Sequence, residues 1–113
     1  MLRTAQSKAE VLQGTLDLIV LRTLESLGPQ HGYSISARIE QVSGGALQLN
    51  MGTLYPALMR LEQRGLIRGK WGATETKRKA RFYEITAAGK RQLEKEKEAW
   101  ERMAAIIHTL LCS

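Results

Sequence analysis

Residues 50–86 read NMGTLYPALMRLEQRGLIRGKWGATETKRKARFYEIT, and the periodicity changes partway along this stretch. As far as Arg64, Leu54, Leu58 and Leu61 recur at i, i+4 and i+7, the spacing of one helix face. Asn50 stands where it would cap that helix, and a start nearer Thr53 fits the same spacing. Pro56 falls early in the helix, where few backbone hydrogen bonds are lost, and is expected to be tolerated without a break. Gly65 ends the segment. Beyond it, LIRGKW (66–71) and ARFYEIT (80–86) alternate as strands do, with Arg81, Tyr83 and Ile85 on one face and Phe82 and Glu84 on the other. The intervening GATETKRK (72–79) is polar and basic. Together the segments predict a β-hairpin with an exposed cationic tip.

Upstream, VLQGTLDLIVLRTLESLG (11–28) predicts a helix with Leu12, Leu16, Ile19, Thr23 and Leu27 on one stripe, widened by Val20 and Leu24. Leu18 and Leu21 fall on the other flank, so the helix is apolar around more of its circumference than one small core covers. Gly28-Pro29 stops it. HGYSISARIEQVSGG (31–45) predicts a second helix with Tyr33, Ile35, Ile39 and Val42 available for packing, followed by a short extended ALQL (46–49). Downstream, Thr86 is placed to cap a long helix over residues 87–110. Leu93, Trp100 and Ile107 recur there every seven residues, with Met103 and Leu110 at companion positions. This is a short coiled-coil-like seam interrupted by Glu96.

The 113 residues suit one globular unit: 43% are hydrophobic and 25% charged. No apolar run reaches the roughly 18 residues of a membrane span, and the opening MLRTAQSKAEVLQG has no pattern of a cleaved leader. With the lone Cys112 unable to form an internal disulfide, a cytoplasmic, nucleoid-associated protein is expected. The net charge is +6, and it is not evenly spread. Between Arg60 and Arg91 ten basic side chains face three acidic ones, a net of +7, so the rest of the chain is close to neutral. A phosphate-facing surface needs such a local excess, though a solvated basic face would show it as well.

Three helices, a basic hairpin and a long last helix, in that order, are the elements of a winged helix-turn-helix with an added C-terminal helix. The expected class is mainly α with a small β-hairpin. Residues 1–86 would form the DNA-binding unit and residues 87–113 a dimerisation helix packed on it. In such folds the third helix enters the major groove by its N-terminal residues. Asn50 and Gly52 at its start offer unpaired N–H groups and room for close approach. Thr53 and Tyr55 can hydrogen-bond bases or phosphates, although Tyr55 also suits a half-buried position. Met51, Met59 and Gln63 lie near the outer surface. Arg60 and Arg64 suit flanking phosphates, and Lys77, Arg78 and Lys79 suit the backbone or the adjacent minor groove.

These segments resemble the PadR family of bacterial transcription regulators. The resemblance spans about residues 12–111 and is carried by Gly14-Thr15-Leu16, His31-Gly32-Tyr33, Gly52-Thr53-Leu54-Tyr55-Pro56-Ala57-Leu58 and Arg60-Leu61-Glu62. Gly65-Leu66-Ile67, Tyr83, Ile85-Thr86 and Gly89 complete it. It implies a homodimer joined through the first and last helices, repressing transcription at inverted-repeat operators. It also implies that Thr53, Tyr55 and Pro56 stand at the DNA-facing start of the recognition helix, and that Lys77 to Arg81 contact the backbone. It matches the short branch, with one terminal helix. Leu16, Leu93, Glu96, Trp100, Met103 and Ile107 are then expected at the dimer seam, where some members bind a flat hydrophobic effector against an aromatic residue. Trp100 stands at that position, either as effector contact or simply as an interface anchor.

No cofactor, metal or catalytic group is expected. The glutamates at 94, 96, 98 and 101 alternate with lysines as a solvated helix face, and no nucleophile–base ordering stands out. His31 opens a helix and reads as a local hydrogen-bonding group. His108 and Cys112, one turn apart, are two donors where zinc takes three or four from a protein. The rival reading is a winged helix used for binding protein or RNA. RNA would favour stacking aromatics on an open surface, and although Trp71, Phe82 and Tyr83 lie in the hairpin, alternation points Tyr83 toward the Ile85 face.

Overall fold

The computed structural model describes residues 4–113, with side chains from Gly14 onward. Helix α1 (Thr4–Leu27) is followed by a short strand β1 (Gln30–His31), then α2 (Gly32–Val42) and α3 (Met51–Gln63). Strands β2 (Ile67–Ala73) and β3 (Lys79–Ile85) lead into α4 (Ala87–Leu111). The hairpin was expected; β1 was not. Gln30 and His31 pair antiparallel with Tyr83 and Phe82, so the sheet has three strands in the order β1-β3-β2. A two-residue strand is too short to show alternation, and it hides in the link after Gly28-Pro29.

Helix ends follow the expected caps. Asn50 Oδ1 accepts from Thr53 N at 2.9 Å, and Thr86 Oγ1 accepts from Gly89 N at 3.0 Å. His31 caps α2, its Nδ1 accepting from Ser34 N and its ring meeting Phe82 edge-on at 5.4 Å. Pro56 lies inside α3 without ending it. Both strands run further into the 72–79 stretch than alternation alone indicated, leaving a tight turn over residues 74–77.

The core joins α1 to α3, the sheet and the start of α4. Leu21, Leu24, Ile35, Leu54, Leu58, Leu61, Ile67 and Leu93 are among its fully buried side chains. Each contributes about 1.5–3 kcal/mol through burial. At the crossing of α4 with the α3–β2 turn, Gly89 is required for space, because a Cβ there would overlap the Leu66 carbonyl oxygen.

Several burial expectations need correction. On α1 the buried side chains are Leu16, Asp17, Val20, Leu21, Thr23 and Leu24, while Ile19 is only partly covered and Leu27 is exposed at the helix end. The buried face is thus rotated toward Leu21, which the sequence pattern put on the other flank of the stripe. An apolar stripe wider than the core leaves its centre undetermined. Leu12, and the N-terminal segment read as lacking a leader, fall outside the described side chains. On α2 the buried positions are Gly32, Ile35 and Ile39, and Tyr33 and Val42 are each 69% exposed. Leu16 and Leu93, expected at a dimer seam, are both buried inside the single chain where α1 meets α4. They hold the terminal helix onto the domain and present almost no area to a partner.

Candidate DNA-binding surface

Helix α3 buries Leu54, Ala57, Leu58 and Leu61 and presents two flanks and an outer ridge. On one flank Arg60 faces α1: Arg60 Nη2 donates to Asp17 Oδ1 at 3.1 Å, with Arg64 Nη1 3.9 Å from Asp17 Oδ2. The other flank, Tyr55 and Glu62, faces α2 and the hairpin. The Tyr55 hydroxyl lies beside Gly32, and Glu62 Oε2 accepts from Arg81 Nη2 at 2.6 Å. Between them Gly52, Pro56, Met59 and Gln63 follow at i, i+4, i+7 and i+11, all exposed. This ridge is uncharged and open. Such a surface can approach base edges closely, whereas charged side chains serve the phosphates.

The expected site residues divide accordingly. Asn50, Gly52, Thr53, Tyr55 and Pro56 are exposed, Tyr55 at 41%, although the Asn50 side-chain oxygen is taken by the helix cap. Lys77, Arg78 and Lys79 are exposed on the hairpin. Its turn closes by Lys77 N donating to Thr74 O at 2.8 Å and Arg78 N to Thr74 Oγ1 at 3.1 Å. Lys77 takes φ +64°, a left-handed conformation costing a non-glycine residue about 1–2 kcal/mol. Arg60 and Arg81 stand differently. Both are half-buried in ion pairs that brace α3, Arg60 against α1 and Arg81 against the sheet.

Sequence reasoning missed the acidic partners, Asp17 and Glu62. Asp17 had a signal: it is the one acidic residue within the apolar run of residues 15–21. Burial pushes its carboxyl above the ordinary value, opposed by the Arg60 hydrogen bond and charge and reinforced by the nearby Glu96.

At the far end, Trp100, Met103 and Ile107 are exposed, and Ile106, Leu110 and Leu111 join them. Ile106 and Leu111 lie outside the heptad positions, which is why the seven-residue repeat did not single them out. Glu96 is partly buried and accepts from Gln92 Nε2 at 2.7 Å. Cys112 Sγ lies 3.8 Å from His108 Nε2, and among the described residues no third His, Cys, Asp or Glu joins them. No helix among the described residues is long and apolar enough to cross a membrane.

A three-helix unit with a three-stranded sheet, a protruding basic hairpin and an open third helix defines a winged-helix protein of the DNA-binding kind. Residues 20–95 match the sequence profile of the Transcriptional regulator PadR-like family, and the chain belongs to that family. Among solved structures, a transcriptional regulator from Clostridium thermocellum is 33% identical with a TM-score of 0.80, covering 88% of this chain and 96% of its own. A PadR-like transcriptional regulator from Bacillus cereus is 28% identical with a TM-score of 0.76, over 92% of this chain and 98% of its own. A PadR family regulator from Eggerthella lenta is 27% identical with a TM-score of 0.78, over 96% and 91%. An uncharacterised 37.1 kDa protein of a Streptomyces fradiae transposon is 44% identical over 77 residues. That match covers 68% of this chain but 21% of the longer relative.

Proposed function

We propose that this PadR-like regulator represses transcription as a homodimer, each protomer laying the outer ridge of α3 into a major groove of an inverted-repeat operator. The observation that supports this best is the pairing of an uncharged, open α3 ridge with an exposed Lys77-Arg78-Lys79 wing on a fold braced around both. Gly52, Thr53, Tyr55 and Pro56 read the site, while the wing neutralises phosphates. Half-sites lie about one helical turn apart, roughly 10 base pairs. Family membership favours this over a winged helix that binds protein or RNA.

Dimerisation is supported by the bare apolar strip from Trp100 to Leu111 and by a groove of about 580 Å³ between α1, α2 and α4, floored by Leu18, Ile19, Val42 and Leu47. A second copy covers these surfaces. A small hydrophobic effector, if the regulator takes one, sits against Trp100 and acts only as far as it prefers one dimer geometry over the other. Titrating Trp100 fluorescence with aromatic compounds reads it directly.

The test of the DNA surface is a pair of variants. Replacing Lys77, Arg78 and Lys79 with Ala lowers affinity for all duplexes alike and flattens its salt dependence by about 0.9 per lost phosphate contact. Thr53→Ala or Tyr55→Ala weakens operator binding more than non-specific binding. An unchanged salt slope in the first case rejects the wing assignment. Equal losses on both duplexes in the second reject base reading.

A further inference from the structure

Alternation along the hairpin puts Ile67, Gly69, Trp71 and Ala73 of β2 on the same face as Ile85, Tyr83, Arg81 and Lys79 of β3, their cross-strand partners. Near the base of the hairpin that face is core, with Ile67 and Tyr83 at 2% and 5% exposure. Farther out it emerges from cover, and Trp71 is 61% exposed. The ring is thus left open at the stem of a basic wing.

Cations accompany it. Lys79 Nζ lies 5.0 Å from the Trp71 ring centroid and Arg81 Cζ 5.7 Å, both within the reach of a cation–π contact. Arg81 is also held by Glu62 of α3, and it folds over Gly69, where a Cβ would fall 2.5 Å from its Nε. Glycine therefore leaves the space the guanidinium occupies. Lys79 has no carboxylate partner among the described residues. An aromatic ring orients a cation without neutralising it, so the charge and its N–H donors remain available to an anion. A carboxylate in the same place would cancel them.

We infer that Trp71 is a positioning residue for DNA: its ring holds Lys79, the cation with no carboxylate partner among the described residues, ready for one backbone phosphate, while Arg81, paired with Glu62, ties the wing to α3. This rests on the DNA-binding reading above and deepens it. The ring acts through Lys79 and is not itself a base contact, because the bases of a duplex are stacked and unavailable to it.

The experiment uses the full chain and a fluorescein-labelled duplex of mixed sequence, with binding followed by anisotropy at several salt concentrations. Trp71→Ala is expected to weaken binding a few-fold, about the cost of ordering one lysine side chain on the phosphate, while Trp71→Phe stays near wild type. Trp71→Leu keeps apolar bulk without the ring's charge distribution and is expected to lose as much as Ala. In a Lys79→Ala background the Trp71 substitution is expected to cost nothing further, since the cation it positions is gone. Wild-type affinity in Trp71→Ala, full retention in Trp71→Leu, or an undiminished loss in the Lys79→Ala background each overturns the inference and leaves the wing assignment standing. A wild-type chain that binds no duplex overturns both.

Discussion

The chain exposes its two tryptophans to nearly the same degree, Trp71 at 61% and Trp100 at 54%, in contrasting surroundings. Trp71 stands beside Lys79 and Arg81 on the wing. Trp100 stands on a strip with Met103, Ile106, Ile107, Leu110 and Leu111. Burying the first set against an apolar partner would strand the Lys79 charge; burying the second against a phosphate backbone would gain nothing for six apolar side chains. One end of the molecule is suited to a polyanion and the other to a second apolar surface. Asp17, on the helix between them, ties α3 to α1 through Arg60.

The most severe break of this contrast is a charge on the apolar strip. Ile107→Asp is expected to weaken self-association by more than about 30-fold, corresponding to a hot-spot residue of roughly 2 kcal/mol. Sedimentation velocity reads the dissociation, and operator affinity falls with it because the half-sites no longer bind together. The monomer's melting transition is expected to persist, since the core lies elsewhere. An intact dimer would mean that the strip from Trp100 to Leu111 is not the seam.

The link between the two ends is probed through Asp17. Its carboxyl titrates above the ordinary 3.8, so the folded chain holds this proton more tightly than the unfolded chain does. Its contribution to stability therefore falls as pH rises from 3.8 through the raised value, then levels off. Asp17→Asn is expected to remove that decline, seen by comparing urea unfolding of the variant and wild type at several pH values. Freed from its partner, Arg60 is expected to raise affinity for mixed-sequence DNA a few-fold, at most one added phosphate contact. A variant with an unchanged pH profile would show that the carboxyl does not feel its burial.

The smallest effect is at the wing tip. Lys77→Gly relieves a left-handed residue and is expected to shift stability by at most about 1 kcal/mol, on the favourable side. It is also expected to lower the salt slope by about 0.9 per protomer. Chemical denaturation and anisotropy separate the two. A gain in stability without any loss in slope would take Lys77 off the DNA.

Much of this was legible in the residues. The leucine spacing in α3, its Asn50 cap, the alternating strands and the Thr86 cap all depend on local chemistry, and local chemistry is what a sequence displays. The family resemblance followed from short segments in order. What stayed hidden depends on contacts between distant residues. The two-residue β1 exists because β3 offers it an edge. The orientation of α1 was ambiguous because apolar side chains surround most of the helix, and only the packed core selects Leu21 over Ile19. Arg60 and Arg81 read as free cations until their acidic partners, 43 and 19 residues away, were seen beside them. Charge counting locates a basic region without revealing which of its members are already engaged.

Backbone hydrogen exchange, followed with and without duplex DNA, tests the account most directly because it examines both ends of one molecule at once. The expected result is slowed exchange in peptides covering residues 50–59 and 70–81, with residues 100–111 equally protected in both samples by the partner protomer. Protection by DNA appearing along residues 100–111, with the α3 ridge and the wing unaffected, would contradict it.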